Sequence, residues 1–393
     1  LGLTARARLT STADRSAMNR PLPRSTPLLF TPGPLTTSDA VRAAMTVDVG
    51  SRDRAFIHTV RFIRDELLAV AGVAPERWTA VPVQGSGTFA VEAAIGTLIP
   101  AGAKLLVAVN GAYGRRIVQI AEVLGIAVAT VDAAEHEPID PAAVDRALAA
   151  DPAIRFVAVV HCETTSGLLN PIATIGPLAR ARGCTVIVDA MSSFAGIPLD
   201  VEGAAIDVLV ASSNKCVQGT PGFGFVLART ALLAASAGQA RSLSLDLHAQ
   251  WRGLEQDGQF RFTPPTQVLL AFAQALRELA AEGGVAARSR RYAANHAALV
   301  EGMALRGFRL FVRPEHRGPI ITTFYYPRDP RFEFAAFYAG LAARGCVIYP
   351  GKVGHADVFR IGNIGDLHVE AIARLLAAID EVLVELGVPN PVP

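Results

Sequence analysis

Between residues 78 and 230 short β-branched apolar runs alternate with longer segments of helical period. KLLVAVN, GIAVATV, RFVAVVHCET, CTVIVDA, IDVLVASSNK and FGFVLART read as strands, and several lack a polar residue at every second position. A strand that alternates buries one face, whereas a continuous apolar run buries both. The pattern predicts a mostly parallel sheet covered by helices, with VEAAIGTLI, RRIVQIAEVLG and IATIGPLARARG as crossovers. The fold class is α/β.

Beyond FRFTPPTQVLLAFAQALRELAAEGG the texture changes. A long helical stretch runs from about 285 to 306, punctuated by Gly284 and Gly307. After it the strand-like FRLFV, IITTFYY, GCVIYPG and VFRIGN alternate with the helical EFAAFYAGLAARG and HVEAIARLLAAIDEVLVELG. We expect a large domain over 28–283 and a smaller C-terminal α/β domain over 284–393, with 28–50 contributing to the pocket or to the small domain. Residues 1–27 are rich in Arg, Ser and Thr and carry no apolar core, which predicts a disordered extension; the same composition also suits an organelle transit peptide.

Composition narrows the function classes. With 393 residues and 51% hydrophobic side chains the chain can bury a large core. The net charge of +2, with acids and bases mixed, offers no basic stripe for nucleic acid and no polybasic membrane patch. No apolar run approaches the roughly 18 to 20 residues of a membrane helix. Small molecules and a second copy of the chain are the expected partners. Cys162, Cys184, Cys216 and Cys346 show neither a disulfide framework nor a zinc spacing, which points to a reducing compartment, the cytoplasm by default, and to no metal.

In an open α/β sheet ligands gather beyond the carboxyl ends of the strands. At the first such end stands QGSGTFAVEAA, where Gly85, Ser86, Gly87 and Thr88 precede a helix. Exposed N–H groups, two hydroxyls and a helix N-terminus make a phosphate cup, although a simple N-cap has the same composition. Gly85, Gly87 and Ala90 also satisfy G-x-G-x-x-A, but a dinucleotide site needs an acid at the end of the next strand, where this chain has Asn110. Asp189 closes CTVIVDA, as a residue of the crevice or as the cap of a turn. Lys215 closes VLVASSNK; a loop lysine is ordinarily solvated, yet only Lys104, Lys215 and Lys352 are lysines among 37 basic residues. Where arginine serves for general positive charge, a retained lysine suggests amine chemistry, because a guanidinium does not form a Schiff base. A phosphate cup, an acid and a nucleophilic lysine at neighbouring strand ends are what pyridoxal 5'-phosphate requires: one for its phosphate, one for its pyridine nitrogen, one for its aldehyde.

The motifs TPGPLTTS, QGSGTFAVEA, NGAYGRR, HCETTSGLLNPI, VDAMSSFAGIP, SSNKCVQGTPGF, RSLSLDLHAQW, RFTPPT, VIYPGK and FRIGNIG, spread over about residues 28 to 385, resemble the class V branch of fold-type I pyridoxal-phosphate aminotransferases. Within that branch they are similar to the enzymes that act on 2-aminoethylphosphonate and pyruvate. The resemblance implies a large domain with a mostly parallel seven-stranded sheet, a smaller C-terminal domain, and a homodimer with shared active sites. It implies Lys215 as the Schiff-base lysine and Asp189 as partner of the pyridine nitrogen. Ser86, Gly87, Thr88 and Asn214 would hold the phosphate, Tyr113 would stack on the ring, and Thr164 would approach its phenolic oxygen. Thr263 would reach the phosphate from the neighbouring subunit, Arg360 would bind the acidic group of either substrate, and the N-terminal segment with TPGP would fold over the pocket. The implied reaction is amino transfer from 2-aminoethylphosphonate to pyruvate, giving phosphonoacetaldehyde and L-alanine in two half-reactions. Arg52 and Arg54 leave the donor open, and an alanine or serine transaminase using glyoxylate or pyruvate is the alternative. A cysteine-desulfurase-like lyase would need a catalytic cysteine on a mobile loop, for which Cys346 inside GCVIYPG is badly placed. A non-catalytic binding module would have no need of the lysine.

Overall fold

A computed structural model describes residues 26–354 and 356–392. The expectation for residues 1–27 falls on 1–25, which lie outside the described residues, except for its last two positions.

Seven strands form the main sheet: β1 (Trp78–Gly85), β2 (Lys104–Val109), β3 (Ala127–Asp132), β4 (Ile154–Val160), β5 (Thr185–Asp189), β6 (Val208–Ser212) and β7 (Gly222–Arg229). Their order is β1-β7-β6-β5-β4-β2-β3. β7 is antiparallel to both neighbours, while the pairs from β6 to β3 are parallel. The apolar runs are buried because helices cover both faces: every residue of β6, and all but the ends of β7, is buried. β3 closes one edge, and none of its residues is buried despite its apolar run. RFVAVVHCET is not one strand; β4 stops at Val160, and Cys162–Glu163 pairs instead with Leu168–Leu169 in a small hairpin.

Three helices bear on the site. Helix α1 (Arg54–Ala71) packs on β1, α2 (Gly87–Leu98) follows it directly, and α3 (Ala112–Val123) follows β2. A fourth, α4 (Gly284–Leu305), leaves Gly283 and Gly284, both at positive φ, and runs to a second core.

That second core lies around a three-stranded antiparallel sheet of β8 (Ile321–Tyr325), β9 (Tyr349–Pro350) and β10 (Val358–Gly362). It is dominated by aromatic rings: Phe308 and Phe324 lie 5.6 and 5.7 Å from Phe359. The run FRLFV is not a strand. Leu310 makes a single bridge to Phe324, and Phe308 and Val312 are buried as core side chains without a ladder. The N-terminal stretch joins the same core. Leu28–Leu29 pairs in parallel with Cys346–Val347, Phe30 is wholly buried, and the Gly362 N–H donates to the Phe30 carbonyl at 2.9 Å. Residues 31–34 are thereby carried from the second core toward the ends of β5 and β6.

Candidate active site

A cleft of about 180 Å³ opens at the carboxyl ends of β1, β5 and β6, lined by Ser86, Gly87, Thr88, Tyr113, Asp189, Asn214 and Lys215 among others. Six of these seven positions line the cleft from three turns. The first turn leaves β1 at Gly85, whose φ of +111° only glycine adopts readily, and starts α2 at Gly87. A side chain at 87 has no room, since a Cβ would lie 2.2 Å from the sulfur of Met191. Ser86 occupies the N-cap position, yet its hydroxyl caps nothing. The turn thus offers free N–H groups and a free hydroxyl at the positive end of a helix. Thr88 accepts from Arg116 Nη1 at 3.3 Å, which brings a fixed positive charge to the same place.

Asp189 ends β5 and is 6% exposed. Its Oδ1 accepts from the Met191 N–H at 2.9 Å, and Oδ2 has no donor among the described residues. Burial, opposed by the Met191 hydrogen bond, raises its carboxyl to about 6. Lys215 follows β6. Burial lowers its amine to about 8, with Arg360 and Lys352 pushing the same way against Cys216 and Asp189. Its Nζ donates to the Pro32 carbonyl at 2.8 Å. Gly33, at φ +111°, makes this approach possible; a Cβ there would lie 2.6 Å from the Asn214 carbonyl and 2.7 Å from Lys215 Cδ. Asn214 itself accepts from the Ser212 hydroxyl at 3.1 Å.

The lysine turn is braced from behind. Arg288 of α4, 1% exposed, donates to the Cys216 carbonyl at 2.7 Å while paired with Glu282 at 2.5 Å. Tyr292 reaches the same carbonyl at 3.3 Å and accepts from Gln218 at 2.7 Å. Nothing in the local sequence marks these partners, since they lie more than seventy residues from Lys215 along the chain.

Arg360 occupies the middle of β10, opposite Thr323 and Tyr349, and is 5% exposed. Its Nε donates to the Pro350 carbonyl at 3.0 Å and its Nη1 to the Thr164 carbonyl at 2.8 Å, which leaves Nη2 without a partner among the described residues. Thr164 is buried and meets the site through that carbonyl; its side chain does not line the cleft. Beside it, the wholly buried Glu163 accepts from the Tyr113 N–H at 3.2 Å and from the Thr165 hydroxyl at 2.7 Å. It caps the start of α3 and fixes Tyr113. The sequence does not single out Glu163, because RFVAVVHCET reads as one strand and nothing local marks its carboxylate as the partner of Tyr113, fifty residues away.

Thr263 stands apart. It is exposed, in a groove it shares with Arg52 and Phe260, and does not reach the cleft of its own chain. Arg52 and Arg54 are exposed as well. Cys346 is buried in its strand pair, so it cannot serve as a mobile nucleophile.

The residues present fit pyridoxal phosphate. A glycine cradle with an uncommitted hydroxyl suits its phosphate, the free oxygen of a buried carboxylate suits a ring N–H, and an amine lowered to about 8 suits an aldehyde.

Residues 41–339 match the family model of the class-V aminotransferases. The chain is 52% identical over 354 residues to the 2-aminoethylphosphonate–pyruvate transaminases of Salmonella typhimurium and Salmonella schwarzengrund, covering 90% of this chain and 96% of theirs. Among solved structures, alanine–glyoxylate aminotransferase from Nostoc sp. is similar with a TM-score of 0.86 and 26% identity over 95% of this chain and 100% of that one. Ureidoglycine–glyoxylate aminotransferase from Bacillus subtilis has a TM-score of 0.86 at 23% identity, over 94% of this chain and 96% of that one, a likeness of fold.

Proposed function

The chain belongs to the class-V aminotransferase family, and we propose that it moves the amino group of 2-aminoethylphosphonate to pyruvate, giving phosphonoacetaldehyde and L-alanine. The observation that carries this reading is the 52% identity across nine-tenths of the chain, against 23% and 26% for the glyoxylate enzymes of the same fold.

Pyridoxal 5'-phosphate, the cofactor, supplies when bound an aldehyde that exchanges with amines and a ring that draws electrons from the carbon beside the amine. Ser86, Gly87 and Thr88 hold its phosphate, with Arg116 behind Thr88 and Asn214 beside the lysine. The Asp189 carboxylate would face the ring N–H and Tyr113 would orient the ring, while Thr164, whose side chain lies outside the cleft, holds Arg360 through its carbonyl. Lys215 would hold the aldehyde end, and its amine, which burial brings down to about 8 in the free protein, stands where it can take a proton from the substrate's carbon and return it. Arg360 binds the acid group. Its fork is fixed by two backbone carbonyls, so the remaining N–H groups present a preset surface to a phosphonate or a carboxylate.

We assign the second subunit through Thr263. Its exposure on a groove away from the cleft, near the exposed Phe262, suits a threonine that completes the phosphate site of a neighbouring copy. The four free, buried cysteines suit a cytoplasmic enzyme.

Phosphorus NMR of the cofactor-loaded enzyme with 2-aminoethylphosphonate and pyruvate tests the reading. Phosphonoacetaldehyde should appear in step with L-alanine. Turnover of L-serine or L-alanine with glyoxylate, and none of the phosphonate, would move the enzyme to the glyoxylate branch.

A further inference from the structure

Positive charge accumulates at one side of the cleft beyond what the cofactor and one carboxylate require. Arg116 and Lys352 stand 5.1 and 5.0 Å from the centroid of the Tyr113 ring, and Arg360 stands 5.8 Å from that of Tyr349. None of the three forms an ion pair among the described residues: Arg116 donates to Thr88, and Arg360 to two carbonyls. Glu163 attracts Lys352 and Arg360 from a distance but pairs with neither. Glu163 is buried with both oxygens engaged by Tyr113 and Thr165, and Asp189 serves the ring.

Arg116 belongs to the phosphate cup and Arg360 to the substrate's acid group. Lys352 is left over. It is one of three lysines in a chain whose basic residues otherwise are arginine; Lys104 is paired with Asp151 at 2.7 Å and Lys215 is committed. Lys352 itself is exposed, with its amine over the ring of Tyr113, a residue that lines the cleft, and its GKVG loop is tied down where the Gly354 N–H donates to Glu135 at 2.9 Å. Its amine is close enough to Arg116 and Arg360 to be held below the ordinary lysine value, with burial of its stem the larger cause.

We propose that Lys352 is a specificity-determining residue that supplies the positive charge for the second negative charge of a phosphonate. This rests on the functional reading above. A phosphonate, like a phosphate ester, approaches two negative charges near neutrality, with a third oxygen out of the plane that a guanidinium fork can meet. A carboxylate offers one charge and two oxygens, which Arg360 alone satisfies. An ammonium on a flexible stem is a point charge suited to the remaining oxygen of a tetrahedral anion. One site then accepts both substrates in turn: pyruvate on Arg360, the phosphonate on Arg360 and Lys352 together.

The test is Lys352→Met in the cofactor-loaded enzyme, with calorimetric affinities for ethylphosphonate and propionate, two anions that lack the reacting amine. A charge-assisted contact of about 1.5–3 kcal/mol corresponds to roughly a 10- to 100-fold change in affinity. Ethylphosphonate should weaken by at least about tenfold and propionate by less than about twofold. The ratio of kcat/KM for 2-aminoethylphosphonate over L-alanine should fall in parallel, and Lys352→Arg should restore part of it. Equal weakening of both anions, or no change in either, would overturn the proposal. A wild-type enzyme that ignores 2-aminoethylphosphonate would instead fail the functional reading, so the two failures are separable.

Discussion

The proposed cofactor wall and the proposed substrate wall beside this cleft are built differently. Ser86, Asp189 and Lys215 all hang from strand ends of one sheet, whose buried ladder sets their spacing. Arg360 and Lys352 come from β10 and the loop before it, in another sheet with its own aromatic core, and the Pro32 carbonyl comes from the segment that core holds. The first wall takes its spacing from one sheet, with its lysine turn braced by Arg288 and Tyr292 of α4. The second exists only while two cores stay in register. Damage to the first should therefore remove chemistry, and damage to the second should chiefly weaken binding.

The sharpest break in that contrast is Lys215→Ala. Turnover should fall by at least about 10⁴-fold, since both the proposed attachment point and the proposed proton carrier are lost. Product assay together with an unchanged circular dichroism spectrum checks this, and appreciable residual transamination would remove Lys215 from its role. On the other wall, Arg360→Lys should lower kcat/KM by roughly 10- to 100-fold for both substrates, because a point charge replaces a planar fork. Steady-state kinetics with each substrate checks it; an effect on one substrate alone would show that another group anchors the other.

Gly33→Ala strikes the seam between the walls. A side chain at φ +111° costs about 1–3 kcal/mol and collides with Lys215 and the Asn214 carbonyl. Thermal melting should register the loss, and cofactor attachment should slow; an unaltered variant would mean the segment moves aside freely. The last effect is on pH. Lys215 has a folded value near 8, below its ordinary 10.5, so between these values the unfolded chain holds a proton that the folded chain lacks. Stability of the cofactor-free protein should therefore rise with pH across that window. The rise should be larger in wild type than in Lys215→Ala by roughly 4 °C in Tm. Parallel profiles would place the amine in a less buried setting.

The same contrast explains what could be read without coordinates. The positions of Asp189 and Lys215 were legible because Asp189 ends an apolar run and Lys215 stands three residues past the end of another strand, and a strand's end is visible in one dimension. The buried sheet wrote itself as runs of Val, Ile and Leu, and even β3 kept that composition at the exposed edge. The contact of Lys215 with Pro32 spans 183 residues and depends on how two cores dock, which no local pattern records. Arg288, behind the lysine turn, reads as one more helix arginine until its burial is known. FRLFV carries a strand's composition, but its side chains fill the second core while its backbone makes a single bridge. Charge outside ion pairs, as at Lys352, becomes meaningful only when the neighbours are seen.

The most direct measurement is the absorbance of the cofactor-loaded protein, before and after 2-aminoethylphosphonate is added without pyruvate. We expect the yellow band to bleach to the pyridoxamine form with the phosphonate, and to return when pyruvate follows. A yellow protein that is unmoved by the phosphonate and bleached by L-serine would contradict the account.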